Sequence, residues 1–351
     1  MGFEMRWIRS CEVRRCKNME DFIRVENLAV SFDTYDGEVQ AVRGVSWYVK
    51  KGETIGIVGE SGCGKSVTIQ TVLGLYPPGV ERIKSGRVMF EGEDLLTKTP
   101  KEMRDFQGKK LSIIFQDPFT YLNPTMTVGN QIMEMYLNHF HVSKQEAREK
   151  ALEVMRMISI PNPEEMLKNY PHQLSGGLRQ RIMITMAMIC EPLVLFADEP
   201  TTALDVTVQA QIIELMNGLK DRVDTSIVLI THDMGVVANM ADRIYVMYAG
   251  KIVESGSKKE IFYEAKHPYT KGLLRAVPDL SDRTVSDLYT IPGAPPDLLN
   301  PPAGCAFCSR CSYAMNICRR LDPIEYQFGD GEHKASCWLY HDQCKVNIEK
   351  N

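Results

Sequence analysis

The chemistry most legible in this chain lies in eight residues, Gly59-Glu60-Ser61-Gly62-Cys63-Gly64-Lys65-Ser66. They fit the pattern G-x-x-x-x-G-K-[ST], a phosphate loop whose glycines let backbone amides turn inward around phosphate oxygens. Lys65 supplies a cation for the β- and γ-phosphates, the Ser66 hydroxyl can ligate Mg²⁺, and the helix expected from Val67 offers its N-terminus to the anion. Gly59, Ser61, Gly62, Cys63, Gly64, Lys65, Ser66 and Val67 are therefore read as the seat of a nucleoside triphosphate. Cys63 fills a variable position, and its thiol is given no catalytic part.

Two carboxylates, Asp198 and Glu199, directly follow the apolar run Leu193-Val194-Leu195-Phe196-Ala197. Such a place is costly for charge without a purpose. A strand-end aspartate completes the Mg²⁺ shell with Ser66, and Glu199 can act as general base on the attacking water. Gln116 and His232 follow two further apolar runs, Leu111 to Phe115 and Ser226 to Ile230. Both strands are expected beside the phosphate loop. There His232 can bond the γ-phosphate, and Gln116 can sense Mg²⁺ or the attacking water. Ser175-Gly176-Gly177 precedes the apolar helix expected from Ile182 to Ile189 and makes a second anion-binding nest. No second phosphate loop exists, because Gly108-Lys109 and Gly250-Lys251 fail the pattern. The economical reading assigns this nest to a nucleotide held by another subunit. Tyr35, in the turn from Asp33 to Gly37, is the aromatic expected to stack on the base, with Phe32 as competitor.

The elements that must position these residues alternate strand and helix. Strands are expected over Ile23–Phe32, Val39–Val49, Thr54–Val58 and Gly86–Phe90. Helix is expected over most of 127–168, interrupted at Pro161 and Pro163, and from about Val206 to Leu219. Polar residues at the C-terminal ends of buried strands are where open parallel sheets place their ligands. The fold class is α/β with a helical insertion.

Length and charge narrow the function. A chain of 351 residues suits one large domain plus an extension. The net charge of −4 gives no pull toward nucleic acid or an acidic membrane surface. The N-terminus carries Glu4, Arg6, Arg9 and Glu12, unlike a secretory signal. The best spanning candidate, 182–197, is broken by Glu191 and Pro192 and is shorter than the ~20 apolar residues a bilayer needs. Membrane association is expected to be peripheral, through a partner.

Five of the ten cysteines (Cys305, Cys308, Cys311, Cys318, Cys337) crowd the C-terminal part, which favours a metal site over a disulfide framework. The spacing Cys305-x2-Cys308-x2-Cys311 is like a cubane iron–sulfur loop with Cys318 or Cys337 as fourth ligand. A Zn²⁺ site on four of the same thiolates is the alternative.

In their order along the chain, the phosphate loop, Gln116, the run Leu174 to Gln180, Asp198-Glu199, Ala203-Leu204-Asp205 and His232 resemble the ATP-binding-cassette (ABC) ATPases over about residues 22–264. The resemblance implies a phosphate-loop, RecA-like core with an antiparallel β subdomain and a helical subdomain at about 118–190. It implies two cassettes packed head to tail around two ATP molecules. In such a pair Ser175, Gly176 and Gly177 would face the opposing ATP, Glu199 would be the base, His232 the γ-phosphate switch, and Asp205 part of the loop linking the two sites. Lys266 to Leu274, Ile291 to Pro296 and Gly304 to Cys318 resemble the extension of oligopeptide/dipeptide-type importer ATPases.

That likeness divides the chain into a tail (1–20), a cassette (21–264) and an extension (265–351). It implies two integral-membrane permease subunits, a second homologous ATPase chain and, indirectly, an extracytoplasmic solute-binding protein, with this chain at the cytoplasmic face. The cargo would be di- or oligopeptides, or in related systems oligosaccharides or metal ions. The family pattern makes Cys305, Cys311, Cys318 and Cys337 ligands of a [4Fe–4S] cluster and leaves Cys308 as an extra thiol. The loop from Gln116 to Pro124, with Phe119 and Tyr121, is expected to receive the permease's cytoplasmic helix. The competing class is a soluble ABC clamp on nucleic acid or ribosomes, which the acidic charge, the single cassette and the lack of coiled-coil heptads oppose.

Overall fold

The computed structural model describes residues 21–202, 204–277 and 289–344, apart from the side chains of 221–223. The N-terminal tail lies outside the described residues. Two sheets organise the rest. Strands β1 (Asp21–Thr34) and β2 (Gly37–Lys50) form a long antiparallel hairpin. With β4 (Glu81–Phe90) and β5 (Glu93–Asp94) they make a four-stranded antiparallel sheet in the order β2-β1-β4-β5.

The second sheet is built on the short apolar runs. β3 (Thr54–Val58), β6 (Leu111–Ile114), β7 (Val194–Asp198), β8 (Ser226–Thr231) and β9 (Arg243–Tyr248) run parallel in the order β9-β3-β8-β7-β6. Every residue of β3, β7, β8 and β9 is buried, as the faces of a parallel sheet covered on both sides require. Successive side chains of β7 serve opposite faces: Val194 and Phe196 pack with the antiparallel sheet, Leu195 and Ala197 with the helices. Each such large apolar side chain contributes about 1.5–3 kcal/mol by leaving water. Beyond β9 the sheet turns antiparallel through β10 (Lys251–Ser257), then β12 (His333–Ser336) and β11 (Glu325–Phe328). The C-terminal segment thus adds two strands to the edge of the main sheet.

Several elements depart from the sequence expectations, each for a local reason. β4 begins at Glu81 rather than Gly86, because pairing with β1 holds a mostly exposed, polar stretch that shows no apolar alternation. The insertion is split into helices α2 (Val128–Leu137) and α3 (Lys144–Met157), with a short turn of helix at Pro163–Met166. Ser143 and Glu146 form a reciprocal capping box that restarts the chain as α3. Helix α4 (Gly176–Met188) starts six residues before the expected Ile182, because the Ser175 hydroxyl caps it by accepting from Leu178 N–H. Two glycines that read as loop are therefore its first turn.

The order of the sheet sets the two polar strand ends at different distances from the phosphate-loop strand. β8, which leads to His232, does neighbour the phosphate-loop strand β3. β6, which leads to Gln116, does not: β8 and β7 stand between them.

Candidate nucleotide site

The phosphate loop joins β3 to helix α1 (Lys65–Val72). Gly64 sits at φ 101°, and a Cβ there would lie 2.2 Å from the Ala41 carbonyl oxygen. A side chain is excluded by both conformation and space, so the loop can close only on glycine. Lys65 is buried, and its Nζ donates to the carbonyls of Gly59 (2.7 Å) and Glu60 (2.9 Å). It is held in the mouth of its own loop, where phosphate oxygens would replace those carbonyls as stronger, charged acceptors.

Across the sheet, Ser66 Oγ donates to Asp198 Oδ1 at 2.9 Å. Asp198 is the last residue of β7 and is buried. Burial raises its carboxyl above the ordinary aspartate range; the Ser66 bond and Lys65 oppose this, and the Glu199 charge adds to it. Two hard oxygen donors side by side, one of them a buried carboxylate, fit Mg²⁺. Gln116 does not complete that pair. Its Nε2 donates to Glu199 Oε2 at 2.8 Å instead.

Glu199 is the hub of the polar cluster. Its φ of 46° is left-handed, a conformation costing roughly 1–2 kcal/mol in a non-glycine residue. Its N–H donates to Ile230 O of β8 at 2.8 Å, which pins the strained turn to the neighbouring strand. Its carboxylate meets Gln116, Thr202 Oγ1 (2.9 Å) and His232 Nδ1 (3.2 Å). His232 is placed by the end of β8 at Thr231 and by the helix that Asp233 caps through Gly235 and Val236 N–H. Backbone strain at a carboxylate fixed by three side chains is how a fold holds a proton acceptor in one orientation.

The remaining expected residues stand apart from this cluster. Ser175 is exposed and caps α4. The Gly177 position faces Val208, only 2.9 Å from where a Cβ would stand, so no side chain could cover the nest. Asp205 caps the helix Val206–Val223 by accepting from Val208 N–H at 2.9 Å. Tyr35 is fully exposed at the tip of the β1–β2 hairpin, whereas Phe32 packs edge-on against Tyr76. Thr202 was not legible as a site residue; its only sequence signal is a hydroxyl three positions after Glu199.

The cysteine segment departs from the metal expectation. Among the described residues no group of three or more His, Cys, Asp or Glu side chains is gathered so as to hold a metal ion. Neither the [4Fe–4S] nor the Zn²⁺ reading finds a gathered ligand set among them. Cys305, Cys308, Cys311, Cys318 and Cys337 are all free thiols. Burial raises Cys337, and its neighbours Cys305, Cys311 and Cys318 raise it further by charge repulsion; Cys308 is not among them.

Comparisons with known proteins agree with this geometry. A family model described as ABC transporter matches residues 42–202, and one described as "Oligopeptide/dipeptide transporter, C-terminal region" matches residues 253–318. The dipeptide transport ATP-binding protein DppD of Bacillus subtilis (strain 168) is 55% identical over 321 residues, covering 92% of this chain and 95% of that protein. The oligopeptide transport ATP-binding protein OppD of the same organism is 52% identical, covering 91% and 89%. OppD of Escherichia coli (strain K12) is 47% identical, covering 89% and 92%. Among solved structures, the dimeric post-hydrolysis ATP-binding cassette MJ0796 bound to ADP and Pi is similar with a TM-score of 0.61 and 25% identity, covering 67% of this chain and 98% of that one. A match to the peptide-transporter C-terminal region leaves the clamp on nucleic acid or ribosomes without support. With a phosphate loop, a Ser66–Asp198 pair and a fixed Glu199 at the C-terminal ends of the parallel strands, this chain belongs to the ATP-binding proteins of ABC transporters that carry the oligopeptide/dipeptide C-terminal region, and it is an ATPase.

Proposed function

We propose that this chain hydrolyses ATP to power an importer of di- or oligopeptides, working against two membrane permease subunits from the cytoplasmic face. The carrying observation is the bond from Ser66 of the phosphate loop to Asp198, with Glu199 next in the chain, in a chain more than half identical, over nearly its whole length, to a dipeptide transport ATP-binding protein. Lys65 and the loop amides take the phosphates; Ser66 and Asp198 hold Mg²⁺, which neutralises charge on the phosphates when bound. Glu199 takes the proton of the attacking water, with Gln116 and Thr202 orienting its carboxylate and His232 reporting the γ-phosphate. Tyr35 stacks on the adenine. Ser175, Gly176 and Gly177 serve the ATP of a second, homologous ATPase chain, and Asp205 lies in the connecting loop. The free exposure of Ser175 supports that reading.

No described helix is long and apolar enough to cross a membrane, so the contact with the permease is made through a docking surface. A groove of about 260 Å³, lined by Leu75, Phe115, Tyr121, Met135, Met183 and Met186, offers one. Tyr121 stacks on Phe115 at 3.8 Å and Phe119 carries Arg179 over its ring, yet both Tyr121 and Phe119 remain exposed. In cells lacking the native gene, the Phe119→Ala/Tyr121→Ala variant is expected to lose most uptake of a labelled peptide while the purified protein keeps its basal ATP hydrolysis. Uptake equal to wild type would remove this surface from the docking role, and retained uptake of a labelled sugar alone would overturn the peptide assignment.

We read residues 21–264 as the cassette and 265–351 as the extension, whose Cys305, Cys311, Cys318 and Cys337 ligate a [4Fe–4S] cluster. The all-thiolate donor set at this close spacing supports that reading. Protein purified without oxygen is expected to be brown and to carry about four irons per chain. A colourless preparation containing stoichiometric zinc would refute the cluster.

A further inference from the structure

The second residue of the phosphate loop is an acid. Glu60 places a carboxylate in a loop that must wrap a highly anionic triphosphate, which is an electrostatic liability unless it is neutralised. The C-terminal segment supplies the neutraliser. Arg310, in the single helical turn Cys308–Arg310, makes a bidentate pair with Glu60: Nη1 to Oε2 at 2.7 Å and Nη2 to Oε1 at 3.0 Å. Its other donors are used as well, on Pro292 O (2.9 Å), Ile291 O (3.2 Å) and the Tyr248 hydroxyl (3.2 Å). Five N–H groups thus meet five partners, the full capacity of a guanidinium.

The surroundings fix this arginine in place. Its side chain is only 5% exposed and lies beside the rings of Tyr248 and Phe307. Tyr248, Tyr269 and Phe307 pack on one another with centroids 4.5–5.4 Å apart. Tyr269 also reaches the loop directly: its hydroxyl accepts from Glu60 N–H at 2.9 Å. Glu60 is therefore bound from outside at its amide and its carboxylate, while its carbonyl holds Lys65.

We infer that Arg310 is a positioning residue for nucleotide binding: it draws the Glu60 carboxylate away from the phosphates and cancels its charge, so that the cysteine-rich segment sets the ATP affinity of the phosphate loop. Arg310 acts through Glu60, the loop residue whose carboxylate it binds. The inference does not depend on what the cysteines hold or on which solute is carried. It makes the C-terminal segment a control on the motor rather than an appendage to it.

The test is a rescue. The full-length protein and its Arg310→Gln, Glu60→Gln and Arg310→Gln/Glu60→Gln variants are titrated with a fluorescent ATP analogue, with melting temperatures measured on the same samples. Arg310→Gln is expected to weaken binding about tenfold, because an uncompensated carboxylate is left in the loop. Glu60→Gln, which removes that charge, is expected to bind within about threefold of wild type, and the double variant to recover most of the loss. In the assembled transporter the same loss is expected in KM for ATP, with kcat little changed. A double variant as weak as Arg310→Gln would mean the pair acts only as a structural brace, and an Arg310→Gln variant that binds like wild type would also overturn the proposal. Should Arg310→Gln not fold, Arg310→Lys, which keeps the charge without the fork, is expected to bind between wild type and tenfold weaker. Wild-type affinity in a Lys variant that has lost melting temperature would count against positioning.

Discussion

Glu199→Gln is expected to lower ATP turnover by about 10²–10⁴-fold while leaving ATP binding in place. The amide keeps the length of the side chain and an oxygen that Gln116 Nε2 can still meet, as it does now at 2.8 Å. It cannot accept the proton of the attacking water. ATP then binds without being consumed, and a complex that needs two nucleotides to close should accumulate. Phosphate release measured with the cognate permease reports the first effect, and size-exclusion chromatography with and without ATP reports the second. Turnover within about tenfold of wild type would deny Glu199 the role of base. Hydrolysis lost without any ATP-dependent association would count against the second subunit's nest at Ser175.

Lys65→Ala is expected to weaken ATP binding by about 10²-fold, the loss of one or two charge-assisted bonds at roughly 1.5–3 kcal/mol each. No ATP-dependent dimer should form in this variant at concentrations where Glu199→Gln assembles. The lysine is buried, so its removal also frees the carbonyls of Gly59 and Glu60 that it now satisfies. A modest fall in melting temperature without nucleotide should accompany the loss of binding. Equilibrium titration with a fluorescent nucleotide separates the two effects, and affinity within about threefold of wild type would displace Lys65 from the phosphates.

The two substitutions act at different depths of one site. In the function proposed, Lys65 would meet charge already present on the nucleotide, whereas Glu199 would meet a proton that moves only during reaction. Their opposite consequences for assembly follow from that difference.

Much of this site is local in the chain and was legible there. The phosphate loop is a contiguous strand, turn and helix start, so its pattern specifies its shape; Gly64, closed in by Ala41, shows why the residue type is fixed. The carboxylates at the end of β7 and the histidine after β8 could be read because buried parallel strands announce themselves as short apolar runs, and ligands gather at their ends. What the residues alone pointed to was the chemistry: a triphosphate, a hard cation, and the proposed base and second nest.

Only the tertiary structure decided which groups touch. Gln116 was expected to sense Mg²⁺ or the attacking water; β8 and β7 stand between its strand and β3, and its side chain meets Glu199. Strand order is set by crossover helices and by packing on both faces, and no local pattern records it. The Arg310–Glu60 pair, which spans 250 positions, escaped for the same reason. A charge pair between distant segments leaves no periodicity in either one. The stretch from Gly59 to Ser66 said that phosphate is bound; folding decided that the C-terminal cysteine segment holds the loop through Arg310 and Glu60.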